Sequence, residues 1–284
     1  MAKACTYAAA VIMAFLINGC TASQSDRQTI TASISPVGYL VKEIVGNDFN
    51  LDIMVPEGAN PETFAPSAAQ LSYMENSALI FTTGVLDFEN ELIARLPAKS
   101  QNRIVDLSSG IELIEGECGH GTAHGHGVDP HIWTSPELLR TMTDNIYAAI
   151  NKAFPDSVKY AAAYDRLIRK IDSVSLCVKN MVADSNRRYF IIYHPALTYY
   201  AADYGLEQIA LEEDGKEPSA SRMQAVIELA RREEMNVILY QRQYPVSVVS
   251  VVASDANVEP VAINPLSGDI LNEILRITGI IVSE

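Results

Sequence analysis

From Asp156 to Asp184 the chain contains neither glycine nor proline, and Pro155 stands directly before that stretch. Apolar residues at Val158, Ala161, Ile168, Ile171, Val178 and Met181 recur at combinations of three, four and seven, the period of a helix with one apolar stripe. At ~1.5 Å per residue such a helix reaches roughly 40 Å, so whatever flanks it is joined by a stiff strut. A break near Ser173–Ser175, giving two shorter helices, is the alternative that the pattern leaves open. On both sides, short β-rich runs alternate with amphipathic segments. Strands are expected at Thr29–Ser33, Leu51–Val55, Leu79–Thr82 and Ile104–Asp106, then at Tyr189–Tyr193, Gln208–Ala210, Val237–Tyr240 and Pro260–Ile263. Helices are expected at Pro36–Val45, Pro66–Asn76, Phe88–Leu96 and Pro136–Ala153, then at Leu197–Tyr204, Ser219–Glu234, Pro245–Ser254 and Asp269–Thr278. Such alternation builds parallel sheets through right-handed crossovers. The expected fold is α/β: two parallel-sheet, (βα)4-like lobes over 28–154 and 186–284, joined by one long rigid helix over 155–185.

The first residues read as an export signal. Lys3 carries the one positive charge, and the apolar core Tyr7–Ile17 has the length of a signal peptide's and is too short to span a bilayer. It ends in Leu16-Ile17-Asn18-Gly19-Cys20, which resembles the lipobox of bacterial lipoproteins. That resemblance implies cleavage after residue 19, a lipid on Cys20, a flexible tether over 20–27 and a membrane-anchored, extracytoplasmic protein, in the periplasm or on the outer cell surface. An uncleaved anchor helix is the competing reading, and Asn18 and Gly19 interrupt it. The net charge of −14 becomes −15 once Lys3 is removed. An acidic chain without a basic cluster is no nucleic-acid binder. Two of the four cysteines, Cys118 and Cys177, fall in the folded part, on an expected loop and an expected helix. A disulfide between them is not expected, and Cys118 could lend a thiolate to its loop.

Four of the five histidines lie between 120 and 131. His120, His124 and His126 are spaced by glycines within a loop over 118–127, and Asp129-Pro130-His131-Ile132-Trp133 follows at once. Imidazole is a common zinc ligand and a His-rich tract is a compositional flag for metal; a merely solvated loop is the plainer reading. In open parallel sheets ligands bind beyond the carboxyl ends of strands. There the chain places His194 after Tyr189–Tyr193, Asn264 after Val261–Ile263, and Glu62 in the Gly/Pro loop after Leu51–Val55, while His131 sits behind Pro130. Alone, each has an ordinary explanation as a packed histidine or a solvated acid. Together they come from four loops at one sheet edge and can converge on a cleft between the lobes.

In order along the chain stand Gly58-Ala59-Asn60-Pro61-Glu62-Thr63-Phe64-Ala65-Pro66, Thr83-Gly84-Val85-Leu86-Asp87-Phe88-Glu89, Asp129-Pro130-His131-Ile132-Trp133-Thr134-Ser135-Pro136 and His194-Pro195-Ala196-Leu197-Thr198-Tyr199-Tyr200. With these motifs the chain resembles the zinc/manganese-binding lipoproteins of bacterial ABC importers, and its His-rich loop is similar to that of the zinc-preferring members. The resemblance implies two α/β lobes joined by one long helix, a metal in the inter-lobe cleft, and an ABC permease in the cytoplasmic membrane as partner. It places His131 and His194 on the metal. Glu62 stands where the family usually has histidine, and Asn264 where a carboxylate usually stands. The implied set is two nitrogens, one carboxylate, and either the Asn264 carbonyl or a water, with Asp269 and Gln241 as further candidates. Zn(II) is the expected cargo and Mn(II) the alternative; His120, His124 and His126 would act as an accessory collector.

Two alternatives to transport stay open on the same residues. An exported zinc-dependent hydrolase could use the same His2Glu set, but neither HExxH nor Gly-x-Ser-x-Gly occurs. A two-lobed binder of a chelate or small organic ligand is possible on fold alone, and the histidines speak against it. A monomer that is not an enzyme is expected. Trp133 and the tyrosines around Tyr199 are read as packing that orients the ligands. The acidic run Glu212-Glu213-Asp214 is read as a solvated loop rather than a permease contact.

Overall fold

The computed structural model describes residues 27–116, 127–155, 158–213, 215–244 and 246–283. The signal segment, Cys20, Cys118 and the loop histidines His120, His124 and His126 lie outside the described residues.

The first sheet contains β1 (Thr29–Ala32), β2 (Asn50–Ile53), β3 (Leu79–Thr82) and β4 (Ile104–Asp106), all parallel in the order β2-β1-β3-β4. The second repeats the plan with β5 (Tyr189–Ile192), β6 (Glu207–Ala210), β7 (Val237–Gln241) and β8 (Glu259–Ile263) in the order β6-β5-β7-β8. Strands such as Leu-Ile-Phe-Thr of β3, buried at every position, suit parallel sheets covered on both faces. The cover in the first lobe is α1 (Ser35–Val45), α2 (Ala68–Glu75), α3 (Asp87–Arg95), the short α4 (Ala98–Gln101) and α5 (Pro136–Ala153). In the second it is α7 (Thr198–Tyr204), α8 (Ala220–Arg232), α9 (Val246–Ala256) and α10 (Ile270–Val282). All eight expected strands are present with bounds shifted by at most two residues; α4 and a 3-10 turn at Ile132–Thr134 were not expected.

Between the lobes runs α6 (Val158–Ala183), one uninterrupted helix. Ser173–Ser175 does not break it: Val174 is buried and the Ser175 hydroxyl donates to Glu137 Oε1 at 2.6 Å. The buried stripe is Tyr160, Ala163, Leu167, Ile168, Ile171, Val174, Val178 and Val182. It starts differently from the expected one, since Val158 is exposed. The helix packs on α1 and α5 from the first lobe and α10 from the second. None of the described helices is long and apolar enough to cross a membrane.

The turn after β3 shows why one motif has its composition. Gly84 has φ +81°, and a Cβ there would lie 1.9 Å from Asp106 Oδ1, so only glycine fits. Beyond it the fully buried Glu89 carboxylate accepts from the Thr83 and Gly84 amides and the Thr83 hydroxyl, each at 2.8 Å, and from the Leu86 amide at 3.4 Å. One side chain thus satisfies donors of the strand-to-helix turn that leads into α3.

Candidate metal centre

Each half of the sheet order reverses between its two central strands, which opens a crevice at their carboxyl ends. Two residues beyond the paired rung of Ile192, Ala210 and Leu239 stand His194 and Glu212, just past β5 and β6, and Gln241, at the end of β7. From the first lobe come Glu62, in the loop after β2, and His131, just before the 3-10 turn.

His131 is aimed by its neighbours. Asp129 Oδ1 accepts from the His131 backbone amide at 2.8 Å and pairs with Nδ1 at 2.9 Å. A carboxylate only accepts here, so Nδ1 carries the proton and Nε2 is left as the electron-pair donor. Asp129 is held below the usual carboxylate range: burial works to raise it, and the charge and hydrogen bonds of His131 outweigh that. The Tyr199 hydroxyl donates to the Asp129 carbonyl at 2.8 Å and accepts from the Ile114 amide at 3.2 Å. Trp133 donates from Nε1 to the Pro265 carbonyl at 3.0 Å, and its ring lies 5.2 Å from that of His131. These aromatics pack around His131 and Asp129 and fix the direction of the imidazole.

His194 is held the same way, with Glu212 Oε2 2.8 Å from Nδ1. The reading of Glu212 as a solvated loop acid is overturned: it is 8% exposed, because the β5–β6 register sets it beside His194. Its signal lay in strand pairing, which spacing along the chain does not reveal. Burial disfavours a charged His194, but the hydrogen bonds and charges of Glu212 and Glu62 prevail and lift its pKa to about 9. Tyr244 stacks on the His194 ring at 5.0 Å and 18°.

Glu62 reaches the same point from the opposite lobe. Its amide donates to Asn60 Oδ1 at 2.9 Å, and Asn60 Nδ2 donates to the Tyr244 hydroxyl at 3.3 Å across the cleft. Glu62 Oε1 lies 3.3 Å from His194 Nε2 and 3.7 Å from His131 Nε2, and the two Nε2 atoms are 3.3 Å apart. Four ligands on bonds of ~2.1 Å around tetrahedral zinc stand about 3.4 Å from one another. The three atoms therefore form one face of a tetrahedron that could hold a divalent ion, with side chains no more than 7% exposed.

Of the other candidates, Asp269 and Asn264 fall elsewhere and Gln241 stays beside the triad. Asp269 is exposed at the start of α10, where it caps Asn272, and is not at this cleft. Asn264 lines a neighbouring cavity of about 220 Å³ with Glu57 and Arg242, and its backbone amide donates to Glu273 Oε1. Gln241 is fully buried and shares the small cavity beside His131 and His194. Among the described residues Cys177 is a free, exposed thiol. Replacing Glu212 with alanine should weaken metal binding about 10–100-fold, the usual loss when a histidine's outer partner goes; chelator competition on the two proteins reads this directly.

Residues 30–273 match the family described as the periplasmic component A of the zinc-uptake complex. The chain belongs to that family. It is 26% identical over 285 residues to the zinc-binding lipoprotein AdcA of Streptococcus pneumoniae, covering 94% of this chain and 56% of that protein, so it spans about half the length of its streptococcal relatives. To the high-affinity zinc uptake system protein ZnuA of Bacillus subtilis it is 24% identical over 261 residues, covering 88% and 82% of the two chains. Among solved structures, a crystal structure of ZnuA superposes with a TM-score of 0.82 at 24% identity over 89% of this chain and 97% of that one. The periplasmic zinc-binding protein TroA from Treponema pallidum gives 0.79 at 18% over 90% and 98%. These superpositions establish the two-lobed fold of the zinc-uptake family.

Proposed function

We propose that the chain captures Zn(II) outside the cytoplasmic membrane, with Glu62, His131 and His194 as ligands, and delivers it to the permease of an ABC importer. The observation that carries this reading is the triangle of three donor atoms, drawn from both lobes, at the separations one zinc ion requires. Membership of the zinc-uptake family and the names of its relatives support transport as the purpose of that capture. Two imidazoles and near-tetrahedral edges favour zinc over manganese, which prefers oxygen and higher coordination. The packing of α6 against both lobes favours local loop movement and small rotations over wide closure. Signal cleavage after residue 19, a lipid on Cys20 and a monomeric state complete the proposal. A hydrolytic use of the site lacks a spare base, since Asp129 and Glu212 are committed to the histidines.

Native mass spectrometry paired with a hydrolysis assay tests this: one zinc per chain without turnover is expected. Absence of bound metal would overturn the proposal, and metal with turnover would favour a hydrolase.

The ion must displace the proton that a pKa of about 9 leaves on His194 at neutral pH. Apparent affinity should therefore rise about tenfold per pH unit up to about pH 9 and then level. Calorimetry in buffers of different ionisation enthalpy should show proton release at pH 7 that vanishes near pH 10. The His-rich segment is proposed as a weak collector; deleting residues 119–127 should leave one tight zinc and remove further weak binding, as counted by equilibrium dialysis.

A further inference from the structure

One polar atom near the triad is buried without a hydrogen-bond partner. Gln241 is 0% exposed, its Nε2 donates to the His194 carbonyl at 2.7 Å, and its Oε1 is buried with no hydrogen-bond partner. The amide's orientation is fixed by chemistry: the His194 carbonyl can only accept, so the N–H end must face it and the oxygen must face away. Leaving such an acceptor unsatisfied costs about 1–3 kcal/mol, and native interiors rarely keep one without a purpose. Gln241 lines the cavity that His131 and His194 also line, and it shares the sheet rung of His194 because Ile192 pairs with Leu239 two residues earlier.

We infer that Gln241 Oε1 supplies the fourth ligand, an oxygen, to the ion held by Glu62, His131 and His194, in place of Asn264, an inference that rests on the proposed role of those three. An amide carbonyl is a neutral ligand, so the ion gains a fourth contact without another charge in a site already holding three carboxylates. Asn264 stands one strand further out, on the neighbouring cavity, beside Arg242. Because the His194 carbonyl also accepts from the Ala196 amide at 2.8 Å, removing the Gln241 side chain does not strand it.

The test uses the full chain loaded with Zn(II) or Co(II). Gln241→Met and Gln241→Leu should lower zinc affinity about tenfold or more, as judged from the usual cost of perturbing a metal site, and should change the visible ligand-field bands of the Co(II) form. Gln241→Glu, which keeps an oxygen at the same reach, should retain a four-coordinate spectrum, and Asn264→Ala should match the parent in both readouts. Parent-like affinity and bands in the Met and Leu variants would overturn the inference, as would a spectral change confined to Asn264→Ala or a Glu variant no better than Met. Failure of the underlying three-ligand reading looks different: the parent chain itself would take up neither metal.

Discussion

His194→Ala should lose zinc affinity by about two to three orders of magnitude. Apparent binding free energies of zinc sites are of order 10–16 kcal/mol, so each of three or four ligands accounts for roughly 3–4 kcal/mol, and each 1.4 kcal/mol is tenfold in affinity. The loss should exceed that of Glu212→Ala, because the alanine removes the donor atom and also leaves Glu212 buried without the imidazole that now pairs with it. His131→Ala should behave alike. Competition against a chromophoric chelator measures both; a loss below tenfold in either variant would remove that histidine from the ligand set. The folded state is a separate question, since His194 also stacks on Tyr244, and metal-free circular dichroism checks that the variants retain it.

The second large effect concerns stability. Glu89→Ala should destabilise the protein by about 3–5 kcal/mol, because it strands the amides of Thr83, Gly84 and Leu86 and the Thr83 hydroxyl in a turn where the carboxylate is wholly buried. Glu89→Gln should also destabilise, though less. Three backbone N–H groups face this side chain, and an amide brings a further donor where acceptors are needed. Urea unfolding followed by circular dichroism gives both values. A change below about 1 kcal/mol for Glu89→Ala would mean that water replaces the carboxylate in the turn.

The order of strands and helices was legible because parallel strands carry continuous apolar runs and the helices carry their own period. The strut was legible from the lack of breakers between Asp156 and Asp184. Its buried face was misplaced at the start, where Tyr160 rather than Val158 turns inward, since a stripe chosen by apolarity alone overlooks an amphipathic tyrosine. Glu62, His131 and His194 were each visible as strand-end or loop residues, and their donor atoms lie within 4.8 Å of one another. Asp129 lies within the His131 motif and could be noticed there. Gln241 was already a candidate from its place near the same edge; Glu212 could not be found from local spacing, because it reaches His194 through the pairing of β5 with β6. Asp269, a candidate for its expected place near the same edge, stands at the start of α10, where its carboxylate caps the helix.

The most direct test is anomalous diffraction at the zinc edge from crystals of the zinc-loaded protein. One strong peak is expected in the cleft, about 2.1 Å from Nε2 of His131, Nε2 of His194 and a carboxylate oxygen of Glu62. A fully occupied zinc peak elsewhere, with those three side chains uncoordinated, would contradict it.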